Sequence, residues 1–530
     1  MIHSKTVQLV LLVSLLAGCN QPVPQFPESV LKQAATPALL EPARECEVSD
    51  EQIAQFPTPD YNSLWDRLRA GYGLPPQSNN RIDTHFNWYA RNKRYMARVS
   101  ERAERYLYHI ITELEKRQMP LELALLPIVE SAFDPFAYSH GRASGMWQFI
   151  PATAKNFGLK QNWWYDGRRD AVASTEAALQ YLSYLHRRFD GDWLLALAAY
   201  NAGEGNVSKA IRRNKKAGKP VDFWSLSLPK ETRAYVPQLL ALAKLVKDPE
   251  SHQIKLQPIP NEPYFEQVAI RSQIDLAQAA EWAEMSIDEL YLLNAGNNRW
   301  ATDPEGPHNL LLPKDKVDTF NTNLAEVSVE DRIGWERYRV KAGDSLLLIA
   351  KRFNTSVDAL KHANELKGNL IRRGQMLLIP VATKPAQHYS FSAEQRLQRT
   401  QNNTSGKGKA RKVNYEVQRG DSFWKIAGQY NVKVTSLARW NGMAPKDLLK
   451  PGQKLVIWTK DPATALTSGG KNGVIRKVAY QVKRGDSLAR IAGKFNLSVN
   501  DIVRWNPIKK SSYIHPGQSL TLFVDVTRAR

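Results

Sequence analysis

The stretch Pro120-Leu-Glu-Leu-Ala-Leu-Leu-Pro-Ile-Val-Glu-Ser131 decides how this 530-residue chain is read. Leu121, Ala124, Leu125, Ile128 and Val129 recur at the spacing of one helical stripe. Pro120 suits a first helical turn, where its missing N–H costs nothing. Leu123 and Leu126 cover the opposite side, so the predicted helix is apolar all round and therefore buried. Glu130 ends it, one turn beyond Leu126 and roughly on the Leu123–Leu126 face. A carboxylate there is expensive to ionise, and its pKa is expected above the ordinary value of about 4.3. A general acid working near neutral pH needs that property. A buried glutamate held in a structural salt bridge is the plainer alternative.

Outward from this stretch, residues 60–250 read as helical nearly throughout, with no sustained alternation. Four blocks stand out within them: Glu130-Ser-Ala-Phe-Asp-Pro135 with Ser139, Ala143-Ser-Gly-Met-Trp-Gln-Phe149, Leu197-Ala-Ala-Tyr-Asn-Ala-Gly203 and Glu231-Thr-Arg-Ala-Tyr-Val-Pro237. In this order and spacing they resemble the lytic transglycosylases with a goose-type-lysozyme-like domain, whose core would span about 105–245. Gly145-Met-Trp-Gln148 stands where Gly-Leu-Met-Gln or Gly-Leu-Trp-Gln is commoner, a change that conserves shape. The resemblance implies cleavage of the bond between N-acetylmuramic acid and N-acetylglucosamine, with Glu130 as the catalytic acid and then base. It implies that Ser131 bonds the carboxylate or the sugar, and that Met146 and Gln148 line the groove. Tyr200 and Asn201 would hold the acetamido region and Glu130, and Tyr235 would hydrogen-bond Glu130. Asp134, just before Pro135, reads as a turn cap rather than a second catalytic carboxylate. Trp163, Trp164, Tyr181 and Tyr184 could stack on sugars but read more readily as core.

The tail repeats itself. Tyr338-Arg-Val-Lys-Ala-Gly-Asp-Ser345 returns as Tyr415-Glu-Val-Gln-Arg-Gly-Asp-Ser422 and as Tyr480-Gln-Val-Lys-Arg-Gly-Asp-Ser487. An asparagine (Asn364, Asn441, Asn506) and a Gly-Gln pair follow each copy at matching spacing. Each copy reads as strand, glycine turn, two capped helices and closing strand, over 338–380, 415–458 and 480–524. The pattern resembles the LysM module, which implies binding of N-acetylglucosamine-containing glycans near Gly343, Asp344 and Asn364, Gly420, Asp421 and Asn441, and Gly485, Asp486 and Asn506. Residues 255–330 read as a degraded LysM-like copy lacking Gly-Asp-Ser. The stretches Ala382–Lys412 and Thr459–Lys477 lack an apolar period and read as flexible spacers between independent modules. The expected fold class is therefore multidomain: a mainly α-helical lysozyme-like domain followed by small α+β modules of βααβ order.

At the other end, Val7–Leu16 is too short to span a bilayer and fits a secretory h-region. It runs into Leu16-Ala17-Gly18-Cys19, which resembles the bacterial lipobox. Residues 1–18 would be the signal peptide, Cys19 the lipidated N-terminus and 19–59 a proline-rich tether. Asn20 follows rather than Asp, and the resemblance to bacterial lipoproteins implies export to the outer membrane, facing the periplasm. Overall charge is +21, yet residues 331–530 hold 37 Lys+Arg against 13 Asp+Glu, a net +24 confined to the tail. The charges are scattered, and an exported chain meets little nucleic acid, so carboxylate-rich peptidoglycan is the expected polyanionic partner and nucleic acid is not. No metal-ligand spacing or phosphate-cradling loop occurs, so neither metal nor cofactor is expected. Protein partners are not legible. Two rivals stay open: a true lysozyme using a second carboxylate, and an inactive wall-binding scaffold.

Overall fold

The computed structural model describes residues 61–460 apart from 407 and 409, and 475–525 apart from 496, 498, 507 and 509–512. The signal segment, Cys19, the tether and most of the second spacer lie outside the described residues.

Four helices, α1 (Leu64–Ala70), α2 (Asn80–Arg91), α3 (Lys93–Ala103) and α4 (Leu107–Lys116), lead to the apolar stretch. That stretch is not one α-helix. Leu121–Leu125 is a 3-10 turn, and α5 (Leu126–Ser131) starts afresh after it. Pro127 explains the break: without an N–H it cannot continue a bond ladder, but it suits the first turn of a new helix. Burial is as expected, since every residue from Leu121 to Ile128 is inaccessible. Glu122 is buried among them, its carboxylate accepting the N–H groups of Gly73 (2.9 Å) and Leu74 (3.0 Å). Ala132 and Phe133, both left-handed (φ 53° and 55°), close α5. The Ala132 N–H reaches back to Ile128 O, an αL closure made without glycine, and the Phe133 N–H reaches Pro127 O. Left-handed backbone costs about 1–2 kcal/mol per non-glycine residue, and full burial of the Phe133 ring holds the turn.

Beyond the turn come α6 (Pro151–Asn156), α7 (Ala171–Arg188), α8 (Trp193–Ala202), α9 (Glu204–Lys216) and α10 (Lys230–Lys247). Asp170 and Asp192 cap α7 and α8 by accepting the N–H groups of Ala173 and Leu195. Helix α8 is buried from Leu195 to Ala199 and packs against α7, α9 and α10, while α10 lies along α2. One apolar core runs through all ten helices from Leu64 to Val246 and continues to Ile254, Ile259, Leu293 and Leu311.

The four small units share one plan. The first pairs β1 (Phe265–Ala269) with β2 (Asn309–Pro313) around α11 (Leu276–Trp282) and α12 (Ile287–Leu293), and α13 (Val317–Ala325) follows. The second has β3 (Gly334–Arg339), α14 (Leu346–Arg352), α15 (Val357–Ala363) and β4 (Met376–Val381). After α16 (Ala393–Asn403), the third has β5 (Arg411–Glu416), α17 (Phe423–Gln429), α18 (Val434–Trp440) and β6 (Lys454–Thr459). The fourth has β7 (Ile475–Gln481), α19 (Leu488–Lys494), α20 (Val499–Trp505) and β8 (Ser519–Asp525). Every sheet is one antiparallel pair.

The repeated asparagines hold this plan together and are not free for sugar. Asn441 is inaccessible, donating to Leu437 O and Val456 O and accepting from Val456 N. Asn364 and Asn506 make the same three bonds, clamping the second helix to the closing strand. Asn294 repeats them in the degraded copy, so the clamp survives where Gly-Asp-Ser does not. The motif aspartates are likewise committed to the fold. Asp344, Asp421 and Asp486 each accept from the strand tyrosine (Tyr338, Tyr415, Tyr480) and from a backbone N–H three residues back. Gly343, Gly420 and Gly485 sit at φ 83–87°, a conformation that favours glycine; the turn is open around the first two, and Arg490 donates to Gly485 O at 2.8 Å.

The stretch Ala382–Lys412 is not a spacer. Thr383 and Tyr389 donate to the buried Asp275 carboxylate (2.9 and 2.8 Å), and Phe391 stacks on Phe136 at 5.0 Å. Ser392 caps α16, and Glu394 pairs with Arg299. These anchors are single residues answering partners from 95 to 255 positions upstream, so no local periodicity announces them. The second unit is not independent either. Trp164 and Trp300 donate from their indoles to Ser356 Oγ and Asn354 O, each at 3.0 Å. Trp164, Ile333, Ala359 and Tyr389 share one core with the degraded copy.

Candidate active site

A groove of about 820 Å³ opens where α5, α8 and α10 meet the loop 139–150. Glu130 enters it from the end of α5, Tyr200 and Asn201 from the end of α8, and Glu231, Tyr235 and Gln238 from α10. Tyr235 donates its hydroxyl to Glu130 Oε1 at 2.5 Å. Burial pushes the Glu130 carboxyl up to about 7; the Tyr235 bond pulls it down, and the negative charge of Glu231 adds to the rise. The hydroxyls of Tyr235 and Tyr200 are raised well above the phenol range by burial and by the charge of Glu130, so both remain donors. The groove thus contains a carboxyl group poised to be half-protonated near neutrality and held by a phenol.

The loop owes its shape to Gly145. Its φ is +82°, and an added Cβ would lie 1.8 Å from Arg168 O, so no side chain fits. Gln148 (φ 50°) lines the groove and ties its amide to Gly145 O at 2.8 Å. Tyr200 donates to Trp147 O at 2.9 Å and sets its ring against Phe149 and Tyr181, bracing the loop. Asn201 accepts from Thr232 at 2.7 Å, joining α8 to α10.

Two expected groove residues stand elsewhere. Met146 is fully buried in the core, within a run from Ala143 to Trp147 that is buried throughout. Ser131 does not reach Glu130; its hydroxyl lies 3.0 Å from Met146 O and 3.2 Å from Pro127 O, fastening the loop to α5. Asp134 accepts from Phe136 N at 2.9 Å, an Asx turn. Tyr181 lines the groove, whereas Trp164 is core. Sequence reasoning missed Glu231 as a groove carboxylate. Its spacing of four from Tyr235 places both on one helix face, and that signal was readable. Among the described residues no cluster of side chains could hold a metal ion, and no helix is long and apolar enough to cross a membrane.

Family models agree with this layout. The Transglycosylase SLT domain matches residues 108–223, the LysM-like domain of lytic transglycosylase MltD matches 264–329, and the LysM domain matches 338–380, 415–458 and 480–523. The fold and groove therefore define a lytic transglycosylase with glycan-binding LysM modules. Membrane-bound lytic murein transglycosylase D of Escherichia coli K12 is 39% identical over 412 residues, covering 75% of this chain and 86% of that one. The chain belongs to the membrane-bound lytic murein transglycosylase D family. An autolysin of Enterococcus faecalis is 35% identical over 189 residues, which is 34% of this chain and 24% of that one. The solved lytic transglycosylase Slt of Pseudomonas aeruginosa matches 28% of this chain and 25% of its own at 26% identity, with a TM-score of 0.22.

Proposed function

We propose that Glu130 alone performs both proton transfers of a non-hydrolytic cleavage of peptidoglycan strands. The observation that supports this is the Glu130 carboxyl, raised to about 7 in the groove and held by Tyr235. Protonated Glu130 donates to the glycosidic oxygen between N-acetylmuramic acid and N-acetylglucosamine, and the anomeric C–O bond breaks. The carboxylate left behind takes the proton of the muramic C6 hydroxyl as that oxygen bonds to the anomeric carbon. A 1,6-anhydro end forms, Glu130 ends protonated again, and no water is consumed. A pKa near the working pH serves both halves of the cycle. Gln148, Asn201 and Tyr200 would position the sugar, with Tyr200 acting through the loop it braces. In the LysM modules the peptide at Gly343, Gly420 and Gly485, rather than the aspartate and asparagine side chains, is left to meet glycan.

Glu231 supports a second reading, a two-carboxylate hydrolase, because it lines the same groove and acts on the Glu130 charge. The mass of the new ends separates the two: anhydro ends are lighter than reducing ends by one water. Glu130→Gln should abolish their formation, and Glu231→Gln should leave anhydro ends in place. Reducing ends lost on Glu231→Gln would instead establish hydrolysis. Lipidation at Cys19 and outer-membrane attachment facing the periplasm complete the proposal, in keeping with the lipobox-like Leu16-Ala-Gly-Cys19 and a relative described as membrane-bound.

A further inference from the structure

Beside the groove lies a second cavity of about 850 Å³, walled by the catalytic domain, α16 and the third small unit. Ser139 and His140 border both spaces, so the two are neighbours across this turn. Seven arginines but only two carboxylates line the cavity. Part of that charge is matched internally: Arg105 is held by Glu289, Arg168 by Asp166, and Asp447 by Arg142. What remains is Arg102, Arg169, Arg396, Arg399 and Arg439 against Asp134 alone. Among the described residues, Arg102, Arg396, Arg399 and Arg439 form no ion pair, and Arg169 has only Asp166 at 3.8 Å, already taken by Arg168. Burial and the neighbouring Arg169 and Arg299 push Arg396 down to about 9, so the cluster is electrostatically unfavourable as it stands.

Aromatic rings keep these cations in place. The Arg396 guanidinium lies over Phe136 at 4.7 Å and that of Arg399 over Phe391 at 4.9 Å. Surplus guanidinium beside apolar rings suits a ligand bearing carboxylates and small apolar groups together. The volume is that of a drug-sized ligand rather than a single small anion. We propose that this cavity receives the carboxylate-bearing stem peptide of the muramic acid whose bond lies in the adjoining groove. The inference rests on the peptidoglycan reading above: a peptide on a sugar held in the groove needs a neighbouring site, and the two spaces share the Ser139–His140 turn. The third unit then contributes Arg439 directly to substrate recognition, beyond tethering the enzyme to the wall.

The test uses the full chain. A synthetic stem tetrapeptide with free carboxylates is titrated calorimetrically against the wild type, beside the same peptide with every carboxylate amidated. The acid form should bind about ten-fold tighter or better, as loss of charge-assisted bonds implies. Cleavage is then compared on strands bearing peptides and on strands stripped of them by an amidase. Arg399→Gln/Arg439→Gln, which alters two exposed side chains, should raise KM about ten-fold on peptide-bearing strands and not on stripped ones. Equal binding of the acid and amide peptides overturns the proposal, and that arm needs no variant. So does a double variant that changes both substrates alike, or neither. Failure of the peptidoglycan reading is separate: the wild type would then leave no anhydro ends on either substrate.

Discussion

Replacing Tyr235 by Phe removes one hydroxyl and leaves the ring in place. The lost bond is 2.5 Å long and its acceptor is the Glu130 carboxylate. A hydrogen bond to a charged group contributes about 1.5–3 kcal/mol, and one pKa unit corresponds to about 1.4 kcal/mol. The Tyr235 bond lowers the Glu130 pKa, so its removal must raise it. From about 7 in the wild type, the carboxyl should move to roughly 8–9 in the variant. The acid that starts the reaction would then stay protonated to higher pH. The alkaline limb of kcat/KM should shift upward by about 1–2 units while the maximum falls, because the carboxyl is no longer oriented. The assay is release of anhydro-ended fragments from purified glycan strands at saturating and limiting substrate between pH 5 and 10 (on the order of half-unit steps). An alkaline limb that stays in place or moves to lower pH would refute the assignment of Glu130 as the titrating acid.

Glu130→Gln should cut turnover by about 10²–10⁴ or more, measured as anhydro ends per hour, while sacculus binding persists. Its stability effect has a definite sign. A folded pKa of about 7 lies above the unfolded value, so this group's contribution is full below about pH 4.5 and is lost as pH rises through 7, by up to about 3 kcal/mol. Melting curves at pH 5 and pH 8 should therefore show the Gln variant gaining on the wild type at pH 8; an unchanged difference defeats the assignment. Asn441→Ala strands three buried backbone groups, and a loss of about 2–4 kcal/mol confined to the third small unit should appear as faster hydrogen exchange at Leu437 and Val456. Truncation after Asn403 should preserve folding and cleavage of short glycans but weaken sacculus binding ten-fold or more, whereas truncation at 330 should unfold residues 265–325 by uncovering their shared core. Protease mapping separates these outcomes. Cys19→Ala should release the protein from the membrane fraction, and unchanged retention on fractionation would sink the lipobox reading.

The sequence by itself determined everything that rests on local pattern. All-round apolar residues dictated burial from Leu121 to Ile128, although the single helix expected there is divided at Pro127. Exact spacing dictated three βααβ units, and the Asn294 clamp, shared with those three, is how the degraded first unit keeps the plan without Gly-Asp-Ser. Burial plus Glu130 dictated a raised pKa, because desolvation needs no knowledge of the neighbour. Tertiary structure alone decided which neighbours arrive. Glu231 and Tyr235 reach Glu130 across 100 residues of chain, and sequence spacing carries no information about such distances. The same holds for Met146, whose place in the core depends on how Gly145 folds against Arg168. It holds most of all for α16, polar and without apolar period, which looked like a spacer. Asp275 fixes the segment leading into it, Asn298 and Arg299 hold its first turn, and it forms one wall of a cavity whose surplus charge no single segment contains. Charge and hydrogen bonding act through space, whereas periodicity acts along the chain, and that is the physical boundary between the two.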